Sequence, residues 1–415
     1  KSKIFSDTRV LSKEYRLVAE KKIIQYTPGF NLNDVRKKYN FKRIVKLSSN
    51  ENPFISDKVA KYIAKYKHEI NLYPESKPLN LAESIANALS SNISASNIIL
   101  GNGSNEILEF ITRLSLDSSS EVIIPKHSFL VYEIISKLQK AKTIISKPDR
   151  DRNSDNYLGV DLESIKQKIS KKTKLIFVEN PGSNTFDFQD LGKIVSIAKK
   201  HKILTAIDNT WGTPYFLKPI KLGFDMAIVS ATKYYSGHSD VMGGSLAVNK
   251  KVFPKVKATE RVTGLRLGPD DAYLITRGLR TLDVRLDRHR ENAKKVAEFL
   301  SKFKNIKLLY PYKKDSYNFR MWKKYYSGAS GLMGLRIKAK SEKAVVKFVN
   351  NLKLFGHGYS WGGFESLALH QNVREQGNRS YLKLAKNEYI VRLHIGLEDP
   401  ADLIADIKQA LKSLK

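Results

Sequence analysis

Residues Ser230-Ala231-Thr232-Lys233 set an amine and two hydroxyls directly after Met226-Ala227-Ile228-Val229, an apolar run that reads as a buried strand. An amine at the end of such a strand is drawn towards its neutral form by desolvation. In that form it is a nucleophile or a base. Asp208 follows a similar run, Leu204-Thr205-Ala206-Ile207. In a parallel α/β sheet, ligands bind beyond the carboxyl ends of the strands. One crossover connection separates Asp208 from Lys233, so both can face one crevice. Taken alone, the two read equally well as an ion pair. A third element is Gly101-Asn102-Gly103-Ser104-Asn105-Glu106, a glycine-rich turn entering a helix from Ile107 onward. Free amides and the helix dipole at such a turn favour an anion.

An amine, an acid, two hydroxyls and an anion-binding helix start are together what pyridoxal 5′-phosphate (PLP) requires. Lys233 would carry the aldehyde as a Schiff base. Asp208 would keep the ring nitrogen protonated, which makes the ring an electron sink. Ser230, Thr232 and the amides near Gly103 and Ser104 would hold the phosphate. Phe129, after the strand at Val122, is placed to stack on the ring, ordinary core packing being the alternative. His238 and Asp240 read as local structural residues. His201 and His289 lie in helical patterns and are expected to face solvent. No His, Asp or Glu cluster has metal-ligand spacing.

The elements that must position these groups follow from the hydrophobic pattern. Short apolar runs at 122–124, 175–178, 204–207, 226–229 and 245–248 alternate with amphipathic stretches such as Leu191 to His201. Continuous apolar strands alternating with helices predict an α/β fold with a mostly parallel sheet covered on both faces. A long helical pattern runs from about Asp270 to Phe303, and an aromatic-rich, loop-like stretch covers 310–330. Beyond these, a strand at 331–337, a helix at 341–354 with Ser341 as N-cap, a strand at 389–395 and a helix opened by Asp399-Pro400 predict a smaller α+β domain. The expected organisation is an N-terminal arm over 1–44, a cofactor-binding domain over 45–265 and a C-terminal domain over 266–415 that includes the linking helix.

The segments "ENPGSNT", "AIDNTWGTPYFLKPIKLGFDMAIVSATKYYSGHSDVMGG", "DDAYLITRGLRTLDVRLDRH", "GASGL", "YSWGGFESL" and "VRLHIGLEDPADLIADI" resemble the bacterial cystathionine β-lyase branch of the Cys/Met-metabolism PLP enzymes, over about residues 174–415. The resemblance implies fold-type I, Lys233 as Schiff-base lysine, Asp208 as ring-nitrogen partner, and Ser230 and Thr232 as phosphate ligands. It also implies Arg392 as the clamp on the substrate carboxylate, with Ser360 and Trp361 lining the substrate pocket. The front of the chain, about 22–150, resembles histidinol-phosphate aminotransferase through "VKLSSNENPF", "LYPESKPLNLAESIANAL", "IILGNGSNEILEFITRL" and "VIIPKHSFLVYEIISKL". That resemblance implies Tyr73 reaching the phosphate of a neighbouring subunit and Asn105 near the ring. The Tyr-Gly-Arg element usual in the lyase branch is not found, and Phe129 stands where its stacking tyrosine is expected. Both resemblances imply a homodimer or homotetramer.

The expected reaction is C–S β-elimination from L-cystathionine, giving homocysteine, pyruvate and ammonia. The alternatives are an aminotransferase of the histidinol-phosphate type and a PLP- or polyanion-binding protein without turnover. Racemisation or deamination is a further side activity to consider. The chain has no cysteine, which excludes disulfides and thiolate metal sites. No apolar run is long enough to span a membrane. The opening residues lack the apolar core of a secretion signal, so the cytoplasm is the expected compartment. Lys plus Arg number 73 against 41 Asp plus Glu, a net charge of +32. The lysines are scattered, with no arginine-rich arm, zinc-finger spacing or aromatic RNA-binding motif. Salt-sensitive adhesion to polyanions is therefore expected, and a specific nucleic-acid partner is not.

Overall fold

The computed structural model describes residues 79–89, 93–126, 128–151, 159–263, 267–316, 318–373 and 384–414, together with Lys61 and Ser154. Tyr73 and the 1–44 segment lie outside the described residues. The strands are β1 (Ile98–Gly101), β2 (Glu121–Pro125), β3 (Lys142–Ser146), β4 (Thr173–Glu179), β5 (Leu204–Asp208), β6 (Met226–Ser230) and β7 (Gly244–Val248), followed by β8 (Ile306–Leu309), β9 (Leu332–Lys338), β10 (Leu367–Gln371) and β11 (Glu388–His394). The first seven form one sheet in the order β1-β7-β6-β5-β4-β2-β3, and the last four form a second in the order β10-β11-β9-β8. Every pairing from β3 to β6 across the large sheet is parallel, and β7 runs against both its neighbours. The second sheet is antiparallel throughout.

The apolar runs are continuous because the large sheet is buried on both faces. Val122, Ile124, Leu175, Phe177, Met226 and Ile228 belong to one hydrophobic cluster. The alternate residues Ile123, Ile176, Val178, Ala227 and Val229 belong to another, which continues into Met333, Leu335, Ile390 and Leu393 of the second sheet. The period of two divides each strand between two cores. The helices on these faces begin at side-chain caps: Asp161 accepts from Ser164 N at 3.0 Å, Ser341 from Ala344 N at 3.3 Å and Asp399 from Ala401 N at 2.7 Å.

Strands β1, β3, β8 and β10 are not among those expected from the sequence, and two expected stretches differ in form. The 270–303 pattern is two helices, Pro269–Leu279 and Leu282–Leu300. Gly278 marks the break: a Cβ there would lie 2.4 Å from the carbonyl oxygens of Tyr235 and Ser236. Its own carbonyl accepts from Arg285 at 2.6 Å, so the first helix ends where it presses on the backbone after Lys233. The aromatic stretch over 310–330 contains a short helix, Phe319–Tyr325. Among the described residues no helix is long and apolar enough to cross a membrane.

Candidate active site

Lys233 lies in a tight turn three residues beyond β6. Its amide is held by Ser230 O at 3.2 Å, and its carbonyl accepts from Gly237 N at 2.8 Å. Gly362 packs directly on it: its φ of +89° disfavours any side chain, and a Cβ there would lie 2.9 Å from Lys233 Cβ and 3.0 Å from its Cα. The Nζ donates to Ser360 Oγ. It also lies 5.5 Å from the centre of the Trp361 ring. Burial first, and then the Arg392 charge, lower the Lys233 pKa to about 7, while Asp208 opposes the shift. The amine is thus poised between its two protonation states near neutral pH.

Asp208 ends β5, beside Glu179 at the end of β4. Its Oδ1 accepts from Thr210 N at 2.9 Å and its Oδ2 from Tyr132 OH at 3.4 Å. Burial raises its pKa, and the bonds from Thr210 and Tyr132 and the charge of Lys233 oppose the rise. Asp208 and Lys233 therefore lie within reach of each other's charge. Tyr132 is fully buried and stacks on Phe177, with ring centres 4.9 Å apart and planes 8° from parallel. Phe129 donates its amide to Glu179 Oε2 at 3.0 Å and meets Tyr132 edge-on at 6.0 Å.

The Gly101–Glu106 turn enters the Ser104–Ser115 helix, three residues earlier than the apolar pattern alone marks. Gly103 adopts φ +87°, and Glu106 turns back to accept from Asn102 N at 2.7 Å. The turn sits against β7: a Cβ on Gly244 would lie 2.4 Å from Gly103 O and 2.9 Å from Ser104 N. The Thr232 hydroxyl bridges the same region by accepting from Gly243 N at 3.0 Å and donating to Gly243 O at 3.3 Å. Ser230 is half-buried at the end of β6, and its amide donates to Thr210 Oγ1 at 2.9 Å. Asn105 is exposed.

From the second sheet, Arg392 on β11 donates Nη2 to Gly358 O at 3.1 Å, Tyr359 O at 2.5 Å and Ser360 O at 3.2 Å. Burial lowers its pKa to about 10, so it stays a cation at neutral pH. The structure thus gathers Lys233, Asp208, Ser360, Trp361 and Arg392 into one electrostatically connected group. Thr210, Tyr132 and His394 join that group without a local sequence signal. One expectation is corrected. His289 does not face solvent: it is fully buried, its Nδ1 is 2.7 Å from Ile395 O, and burial lowers its pKa to about 4. Its helix presents that face to the core. His201 is exposed, and His238 bonds locally to Ser236 O.

The sequence model of a family described as Cys/Met metabolism PLP-dependent enzyme matches residues 142–412. The chain belongs to this family. Its cofactor is PLP and its fold is fold-type I. A second model, aminotransferase class I and II, matches residues 42–229. The PLP-dependent chain is 39% identical over 265 residues to a putative cystathionine beta-lyase of Rhizobium johnstonii, covering 61% of this chain and 66% of that protein. It is 38% identical over 254 residues to an L-alanine/L-glutamate racemase of Wolbachia pipientis wMel, covering 61% and 63%. These matches span just under two thirds of each relative's length. Among solved structures, metB from Corynebacterium glutamicum superposes with a TM-score of 0.70 at 27% identity, covering 81% of this chain and 84% of that one.

The gathered residues suit PLP chemically. The half-buried Asp208 carboxylate, the Lys233 amine with its pKa lowered to about 7, and the helix-start amides after Gly103 are groups suited to its nitrogen, aldehyde and phosphate. Gly244 lets β7 approach the Gly103–Ser104 backbone closely, and any side chain at 244 would push that turn away. Gly244→Ala is expected to weaken PLP affinity at least about tenfold and to lower stability by about 1–3 kcal/mol, the usual range for overpacking. Equilibrium PLP binding and thermal unfolding check both. Affinity equal to the unaltered protein's would separate this turn from the phosphate.

The lowered pKa of Lys233 makes the reactive neutral amine dominate above about 7 rather than above 10.5. PLP capture by the cofactor-free protein should rise roughly tenfold per unit below pH 7 and level off above it. Rapid-mixing absorbance from pH 5 to 10 measures this, and a rise continuing past pH 9 contradicts it.

Proposed function

We propose that the chain is a PLP-dependent carbon–sulfur β-lyase acting on L-cystathionine, which with water gives homocysteine, pyruvate and ammonia. The observation that carries this reading is the seat of Lys233, whose amine donates to Ser360 Oγ, lies near the Trp361 ring and feels the charges of Asp208 and of Arg392, which itself holds Ser360 O. Lys233, Asp208, Ser230, Thr232, and the amides of Gly103, Ser104 and Asn105 would hold PLP, with Phe129 against its ring. When bound, PLP draws electrons from the substrate Cα, which acidifies the Cα proton and lets a thiolate leave Cβ.

The chain's own residues do the rest. Arg392 binds the substrate α-carboxylate as a fixed cation. Lys233 Nζ, with its pKa near 7, takes the Cα proton as a base matched to neutral pH. Ser360 Oγ orients that amine. The Trp361 ring shields it from water, which keeps the base desolvated. Asp208 holds the ring-nitrogen proton, with Thr210 and Tyr132 fixing its carboxylate.

The match of residues 42–229 to class I and II aminotransferases favours one second reading, transamination of a primary amine such as histidinol phosphate. One experiment decides between them: purified protein with PLP is supplied separately with cystathionine, cystine and histidinol phosphate, and the products are identified. Thiol and pyruvate released together support the lyase. A keto product with conversion of PLP to its amine form supports the aminotransferase. Formation of a D-amino acid alone would move the reading to the racemase activity named for the Wolbachia relative.

A further inference from the structure

Residues 358–366 form an irregular segment that carries Ser360 and Trp361 to Lys233. Such a segment needs anchors, and β11 supplies two from one face. Arg392 and His394 are two residues apart, so their side chains leave the strand on the same side. Arg392 holds the outer part of the segment through three carbonyls, as above. His394 holds the inner part differently. Gly362 N donates to His394 Nε2 at 3.2 Å, and His394 Nδ1 lies 3.0 Å from Glu365 O. A backbone amide can only donate and a carbonyl can only accept. The ring must therefore be neutral, with its proton on Nδ1.

The surroundings favour that state. His394 is 1% exposed and lies among the rings of Tyr234, 5.9 Å away, and His289, 5.2 Å away. Burial, His289 and the cations Arg392 and Lys233 all hold its pKa well below the usual histidine value. The bond to Gly362 acts at the residue packed against the Lys233 backbone, and Ser360 precedes it by two residues. A second proton on the ring, or loss of the ring, would release Gly362 and with it the wall against Lys233.

We propose that His394 is a positioning residue of the active site: a neutral imidazole, protonated at Nδ1, that latches the 358–366 segment to β11 and so keeps Ser360 on the Lys233 amine. The proposal rests on the active site proposed above and not on which leaving group it expels.

The test uses the full-length, PLP-loaded protein. In 15N-histidine-labelled enzyme, the signal that disappears in His394→Gln should show a protonated Nδ1 and a bare Nε2. That tautomer is the less favoured one of a free histidine side chain in water. This readout does not depend on turnover. An Nε2–H tautomer or a charged ring at pH 7.5 overturns the proposal even if the enzyme proves to be an aminotransferase. In kinetics with the substrate it turns over, His394→Leu is expected to lose about 10- to 100-fold in kcat/KM, mostly in kcat, as outer-sphere supports do. His394→Asn, which can still donate to Glu365 O, and His394→Gln, which can still accept from Gly362 N, should each recover part of that loss. A leucine variant that melts lower but keeps kcat/KM within twofold means the ring only fills the core, and overturns the proposal. Should the leucine variant fail to fold, the tautomer and the Asn and Gln variants decide alone.

Discussion

Replacing Lys233 with alanine is expected to lower turnover by at least about 10⁴-fold, because it removes the amine proposed both to carry the cofactor and to take the Cα proton. The visible absorbance of the PLP-loaded protein should vanish after free cofactor is removed, since that band needs the covalent link to an amine. The fold has good reason to survive. Gly362 packs on the Cα and Cβ of Lys233, and alanine keeps both atoms. The atoms lost are the chain that ends on Ser360 Oγ. Removing the amine also leaves Asp208 without the cation that opposes its raised pKa, so its carboxyl should titrate higher still. Small exogenous amines should restore a fraction of turnover in the variant by supplying the missing base from solution. A yellow, active Lys233→Ala protein would overturn the site as proposed, whereas an inactive variant rescued by methylamine would support it.

The strands were legible because burial on both sheet faces leaves a simple mark, an unbroken apolar run, as at 175–178 and 226–229. Asp208 and Lys233 stood out against those runs as charges where a parallel sheet ends. Ser341 and Asp399 were readable as caps because capping is local chemistry. What stayed hidden depends on contacts between distant residues. The helix 282–300 carries Asp283, Arg285, Asp287, Arg288, Arg290 and Glu291 around most of its surface, so its buried stripe is faint. Yet Arg285 and His289, four residues apart and therefore on one face, are both buried against the backbone beyond Lys233 and β11. Arg285 spends its donors on Tyr234 O, Gly278 O and Thr281 Oγ1, partners that no periodicity announces. Tyr132 reads as a helix residue until Asp208, 76 positions away, is seen beside its hydroxyl. The latch of His394 on Gly362 is of the same kind, with a short strand and an irregular segment meeting across 32 positions.

Arg392→Ala carries the second large effect. If the half-buried Arg392 guanidinium meets the substrate carboxylate as proposed, its removal costs about 2–5 kcal/mol, which is roughly 30- to several-thousand-fold in kcat/KM. Most of the loss should appear as a raised KM with PLP still bound, because the residues proposed to hold PLP belong to the first sheet and the turns around it, and Arg392 to the second sheet. Arg392→Lys should recover little: it keeps the charge but loses the planar fork, and a lysine cannot reach the carbonyls of Gly358, Tyr359 and Ser360 in the same geometry. That second job complicates a simple reading, since losing Arg392 also frees the outer end of the segment that carries Ser360. A substrate analogue with a carboxamide in place of the α-carboxylate separates the two. In the unaltered enzyme the analogue should be penalised by about the same factor as the alanine variant is with the natural substrate. In the variant it should suffer little further loss, because the partner of the carboxylate is already gone. If both enzymes penalise the analogue equally, the carboxylate is held elsewhere, and Arg392 serves only to anchor the segment.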